Sequence, residues 1–158
     1  MYTCPICHTN LCTRHFDAWW NSNKFNWQHS SWLLAKYCHT CFETWWNPDM
    51  FNWEDSSWAL PEYCSKYFRI WWNPNKFNSN DYWKLARHCF EYFETWWNPD
   101  MFNWEEESWV LPRYCSKFFH IWWNPEKYSV KDIHFLEQYC NEFKDEWMIL
   151  KLYYSVLL

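Results

Sequence analysis

Along most of this chain an apolar residue returns every third or fourth position, with polar residues between. Leu60, Cys64, Phe68 and Trp71 follow at steps of 4, 4 and 3, and Glu62, Ser65, Lys66 and Arg69 fill the gaps. That spacing puts one apolar stripe on one face of an α-helix and leaves the other face wet. About four turns carry the stripe, a rod of roughly 24 Å.

The stripe recurs. Trp-Trp pairs stand at 19–20, 45–46, 71–72, 96–97 and 122–123, and Trp147-Met148 is a decayed sixth copy, so the spacings are 26, 26, 25, 26 and 25. A cysteine precedes each first Trp by seven residues: Cys12, Cys38, Cys64, Cys89, Cys115 and Cys140. Phe follows that cysteine by four in five copies (Phe16, Phe42, Phe68, Phe93, Phe119), and Leu precedes it by four in five (Leu34, Leu60, Leu85, Leu111, Leu136). A fixed period of this length is the mark of a helical-repeat architecture. It predicts helices over 10–20, 30–46, 56–72, 81–97, 107–123 and 131–150, with Asp55, Ser56 or Ser57 as a start cap in the third.

Between helices the chain reads Asn-Pro-x-x-Phe-Asn, as in Asn47-Pro48 to Phe51-Asn52 and Asn98-Pro99 to Phe102-Asn103. Proline pushes the residue before it out of the α region and so ends the helix. Asn then caps a short turn with Pro at its first position, and the Phe is an anchor. A longer period lies above this one: 42–74 and 93–125 agree at 27 of 33 positions. Odd and even copies thus differ in kind, which predicts helices pointing up and down in turn. The expected fold is all-α: about six antiparallel helices from 25–26-residue repeats, an α-solenoid or compact helical-repeat bundle. It is one domain, 1–158, with 1–20 as a zinc-clipped cap and 149–158 as a helix end or tail.

Composition narrows the function. The 158 residues include no glycine, 27% aromatic residues with 18 Trp, and a net charge of -5. So aromatic a chain is not disordered. Without glycine, no phosphate-cradling Gly loop or nucleophile elbow exists. The acidic balance disfavours nucleic-acid backbones. No apolar run reaches the roughly 18 residues of a membrane span, and no leader is evident, so the expected setting is soluble and intracellular. The nine cysteines do not form a disulfide framework.

Six cysteines belong to the repeat and read as small buried packing residues. Cys4, Cys7 and Cys41 remain. Cys4-Pro5-Ile6-Cys7 is a CxxC knuckle. Three residues beyond the repeat cysteine, copies three to six carry Tyr67, Tyr92, Phe118 and Phe143, but the first two carry His15 and Cys41. Both departures are to metal ligands. The set Cys4, Cys7, His15 and Cys41 makes a Cys3His shell with no open position, the pattern of a structural Zn2+. Two rival sets use repeat cysteines: Cys4, Cys7, Cys12 and His15, and Cys4, Cys7, Cys38 and Cys41. The metal's expected task is to join residues 4–7 to the first two helices, where the first copy lacks the Trp and Leu that open later ones.

No catalytic set is assignable: Glu54-Asp55 and Glu105-Glu106-Glu107 precede helices and suit the helix dipole. The second Trp of each pair (Trp20, Trp46, Trp72, Trp97, Trp123) either packs on the next connector or forms an interaction surface, Trp being a common binding hot spot. The reading is a non-enzymatic, zinc-stabilised repeat protein acting on a protein partner or on itself. The alternative is single-stranded nucleic-acid binding by Trp stacking; a metalloenzyme ranks last.

Overall fold

The computed structural model describes residues 2–157, with side chains to Ser155. Among these residues the chain is helical throughout, apart from turns and one isolated antiparallel bridge between Thr3 and Asn10. It divides between Asp81 and Tyr82 into two compact units.

Each stripe is helical, but it is not one rod. The third copy runs as Trp53–Ser56, Ala59–Cys64, a 3-10 turn Ser65–Tyr67 and then Phe68–Trp71. The fifth repeats this as Trp104–Glu107, Val110–Cys115, Ser116–Phe118 and Phe119–Trp122. The second opens with the longer helix Trp27–Tyr37 and continues through His39–Cys41 and Phe42–Trp45. The fourth comprises Tyr82–His88, Phe90–Tyr92 and Phe93–Trp96, and the sixth Ile133–Tyr139, Asn141–Phe143 and Lys144–Leu157. In the first copy only Phe16–Trp19 is α-helical, where a helix over 10–20 was expected.

The break falls at the repeat cysteine each time. Cys38, Cys64, Cys89, Cys115 and Cys140 have φ between -117° and -126° and ψ between 21° and 32°. The cause is the tryptophan seven residues on. Its indole Nε1–H donates to the cysteine carbonyl at 2.8–2.9 Å in all five copies. At Cys38, Cys89 and Cys140 the same carbonyl also accepts the N–H three residues on, at 2.9–3.0 Å. A carbonyl has two lone pairs and both are then used, so the N–H four residues on, which would continue the α-helix, has no place. The indole gains as well: Trp45, Trp71, Trp96, Trp122 and Trp147 are at most 2% exposed, and a buried indole N–H needs an acceptor.

The connectors follow their sequence. The second Trp sits in extended conformation just after the helix, with ψ of 119° to 128°. The Asn side chain of Asn-Pro then accepts the N–H two residues on at 3.0 Å, at Asn47, Asn73, Asn98 and Asn124. The next helix is capped by the Asn of Phe-Asn: Asn52 Oδ1 accepts Asp55 N–H at 3.2 Å, and Asn103 Oδ1 accepts Glu106 N–H at 3.3 Å. The cap therefore lies at Asn52, not at Asp55, Ser56 or Ser57, and the helix starts earlier than expected. Pro61 and Pro112 fall in the first turn of their segments, where no N–H is missed.

Within each unit neighbouring copies run in the same direction, which corrects the antiparallel alternation expected there. In the first unit Trp32 meets Trp58 and Phe42 stacks on Tyr67 at 4.5 Å, while Cys64 Sγ–H points to the Ala35 carbonyl at 3.7 Å. In the second, Trp109 meets Phe135, Phe119 stacks on Phe143 at 4.4 Å, and Cys115 Sγ–H points to the Ala86 carbonyl at 3.7 Å. Early and late positions of a copy meet their neighbours at nearly the same sequence offset. An antiparallel pair would show offsets that shrink toward its turn. One polar contact does recur at the 51-residue offset: Ser57 Oγ–H donates to Asp81 and Ser108 Oγ–H to Asp132, each at 2.6 Å.

No helix among the described residues is long and apolar enough to cross a membrane. The last helix, Lys144–Leu157, buries Trp147 and Leu150 and leaves Ile149, Leu152 and Tyr153 more than 60% exposed. Leu158, part of the expected tail, lies outside the described residues.

Candidate metal centre

Residues 2–15 fold as a tight loop. Cys4 N–H donates to the Thr9 carbonyl at 2.9 Å, His8 N–H to the Cys4 carbonyl at 3.0 Å, and Leu11 N–H to the Tyr2 carbonyl at 2.9 Å. The turn carries His8 at φ 57° and Leu11 at φ 49°. A side chain in that left-handed region costs about 1–3 kcal/mol and persists only where the surroundings impose it. Ile6 N–H points at Cys4 Sγ, 3.4 Å away, so the knuckle already directs a donor at its first sulfur.

The loop brings four candidate ligands together. The ligand atoms of Cys4, Cys7, Cys12 and His15 all lie within 4.8 Å of one another, and Cys12 Sγ is 3.6 Å from His15 Nδ1. A tetrahedral zinc with sulfur at about 2.3 Å separates its ligand atoms by roughly 3.5–3.8 Å. Three thiols and an imidazole at this spacing could hold a metal ion, and the donor set is that of zinc. Burial is graded across the set. Cys4 is fully buried, Cys12 and His15 are half-buried, and Cys7 is exposed. The thiol of Cys7 is drawn down to about 5, chiefly by the Thr9 hydroxyl 3.0 Å away, then by the Thr9 backbone, His15 and Cys12. Cys7, Thr9, Cys12, Arg14, His15 and Tyr37 line an open cleft.

Three of the four ligands read from the sequence are in this group, with Cys12 as the fourth member. Cys41 lies outside the group, and its Sγ–H points to the Thr13 carbonyl at 3.8 Å. Cys38 does the same toward the Leu11 carbonyl at 3.9 Å. Both thiols thus hold the segment that carries Cys12. The group is the first of the two rival sets read from the sequence; reserving the repeat cysteines for packing put it second, and the short C-x2-C-x4-C-x2-H spacing is the signal that favours it.

The loop is docked by an aromatic cluster. Tyr2 stacks on Phe25 at 4.6 Å and its hydroxyl accepts Asn26 N–H at 2.6 Å. Elsewhere the repeat thiols are buried and pushed up to about 12 by desolvation, at Cys64, Cys89, Cys115 and Cys140, and at Cys38 with added repulsion from Cys41 and Cys12.

The second Trps are half-buried. Trp46 stacks on Phe42 at 5.1 Å and leans on Phe51 at 5.3 Å, and Trp97 does the same with Phe93 and Phe102 at 5.1 and 5.4 Å. They pack on the next connector and keep an exposed edge.

No protein-family model matches this chain, and searches of curated proteins and of solved structures find no match either.

Proposed function

We propose that this chain is a non-enzymatic helical-repeat protein whose first copy is closed by a structural Zn2+, and that it serves as an intracellular protein-interaction or assembly module. The observation that carries the metal reading is the convergence of Cys4, Cys7, Cys12 and His15 within 4.8 Å. Four side chains complete a tetrahedral shell and leave no position for a reacting water. With zinc bound, the imposed turn at His8 and Leu11 gains the support that its backbone needs.

The interaction reading rests on the last helix. Ile149, Leu152 and Tyr153 share one exposed face at helical spacing. Base stacking on the second Trps is the weaker alternative, since their ring faces already meet Phe42, Phe51, Phe93 and Phe102.

The deciding experiment is metal analysis of freshly purified protein. One zinc per chain, with an X-ray absorption spectrum of three sulfurs and one nitrogen, supports the site. Cys12→Ser is expected to lose the metal and Cys41→Ser to keep it; the reverse returns Cys41 to the shell, and no metal at all ends the reading. For the module itself, Leu152→Glu is expected to abolish partner capture or self-association. Oligonucleotide binding with salt-sensitive Trp quenching would favour the alternative.

A further inference from the structure

The thiols of the centre are unequally placed, and this bears on what can reach them. Cys4 is fully buried, and Ile6 N–H points at its sulfur. Cys7 is exposed and lines an open cleft. Cys12 is half-buried, opens on the same cleft, and has its sulfur within 4.8 Å of that of Cys7. Every other repeat thiol from Cys38 to Cys140 is at most 1% exposed. Cys41 is half-buried but lies outside the group and the cleft, so small oxidants in solution meet one pair of clustered sulfurs on a common opening.

We propose that Cys7 is a peroxide-reactive site, and that its oxidation joins it to Cys12 and expels the zinc. This rests on the metal reading above. The Cys7 thiolate attacks one oxygen of hydrogen peroxide; the O–O bond breaks, hydroxide leaves, and Cys7 becomes a sulfenic acid. The Cys12 thiolate then attacks the Cys7 sulfur, an S–S bond forms, and a second hydroxide leaves. The two sulfurs lose two electrons together and the peroxide gains them. Two of the four zinc ligands are gone, and Cys4 and His15 alone do not retain the ion. A dithiol reductant restores both thiolates, and the metal rebinds.

The test uses the full chain with its zinc content measured beforehand. Equimolar hydrogen peroxide is expected to release one zinc per chain into a chromogenic chelator and to remove two of the nine thiols. Peptide mapping should place the new bond between Cys7 and Cys12, and dithiothreitol with added zinc should reverse both changes. Cys41→Ser should behave as the parent. A bond between Cys4 and Cys7, a bond to Cys41, zinc release without any disulfide, or zinc that stays in place would each overturn the proposal. A preparation that binds no zinc at the outset refutes the metal reading instead, so the two failures are told apart before peroxide is added.

Discussion

Cys12 and Cys64 occupy the same place in two copies of one repeat, and their backbones behave alike. Trp19 Nε1–H donates to the Cys12 carbonyl at 2.8 Å and Trp71 Nε1–H to the Cys64 carbonyl at 2.8 Å. Their sulfurs diverge. Cys64 is fully buried, with its thiol on the Ala35 carbonyl, whereas Cys12 is half-buried with its sulfur 3.6 Å from His15 Nδ1. The backbone role belongs to the repeat position. The role of the thiol is decided by its surroundings: a neighbouring carbonyl makes it a packing group, and an imidazole with two more thiols puts it in a group that could hold a metal ion. One amino acid at one position thus serves two chemistries.

The largest test of this contrast is removal of the metal. Structural zinc contributes on the order of 10 kcal/mol to the segment it folds. Cys4→Ser with Cys7→Ser, or a strong chelator, is expected to abolish hydrogen-exchange protection over residues 2–15 and lower the melting temperature, with protection of Val110–Cys115 retained. If Cys64→Ala released the metal as readily as Cys12→Ala, the contrast would be wrong.

Next comes the indole. Trp122 is 1% exposed and Trp19 half-buried. Trp122→Ala should cost about 3–5 kcal/mol in urea unfolding, and Trp19→Ala clearly less. Trp122→Phe keeps most of the volume but takes a donor from the Cys115 carbonyl, for about 1–3 kcal/mol.

A more gradual effect, one that grows with pH, comes from alkali. The buried repeat thiols ionise near 12 in the folded chain against an ordinary 9.0. Below about pH 9 they are protonated in both states and their contribution is complete. As the pH rises from 9 toward 12, the unfolded chain loses those protons first, so folding stability falls. Melting curves across that range should show the decline, and Cys64→Ala with Cys115→Ala should flatten it. A stability that stays level to pH 12 would contradict the burial of these groups. Least of all should matter the surface pair of Lys76 and Asp49, 2.9 Å apart. Lys76→Met is expected to change stability by less than about 1 kcal/mol.

The stripe from Leu60 to Trp71 was legible as helix, because a 3.6-residue period survives a local bend. The bend itself was not. Nothing in the spacing of Leu, Cys, Phe and Trp says that an indole seven residues on will occupy the cysteine carbonyl and exclude the next helical bond. The direction of neighbouring copies was misread because the similarity between 42–74 and 93–125 was taken as geometric. What recurs at that offset in the structure is a Ser–Asp contact, part-buried between Ser57 and Asp81 and buried between Ser108 and Asp132. The Asn-Pro turns were readable, since Asn and Pro act on the residues beside them. At the metal centre Cys4, Cys7 and His15 stood out as departures from the repeat. Cys12 entered only a rival set, because it conforms to the repeat in sequence and departs from it only in what its sulfur faces.

The recurring indole-to-carbonyl bond gives each copy from the second to the sixth its own reporter. Every such proton is buried, is donated within one copy, and is released only when that copy opens at its cysteine. Deuterium uptake at five tryptophan side chains would therefore time the opening of successive copies one by one. Fraying from either end would appear as an ordered sequence of dates, where a single cooperative melt would give one shared date.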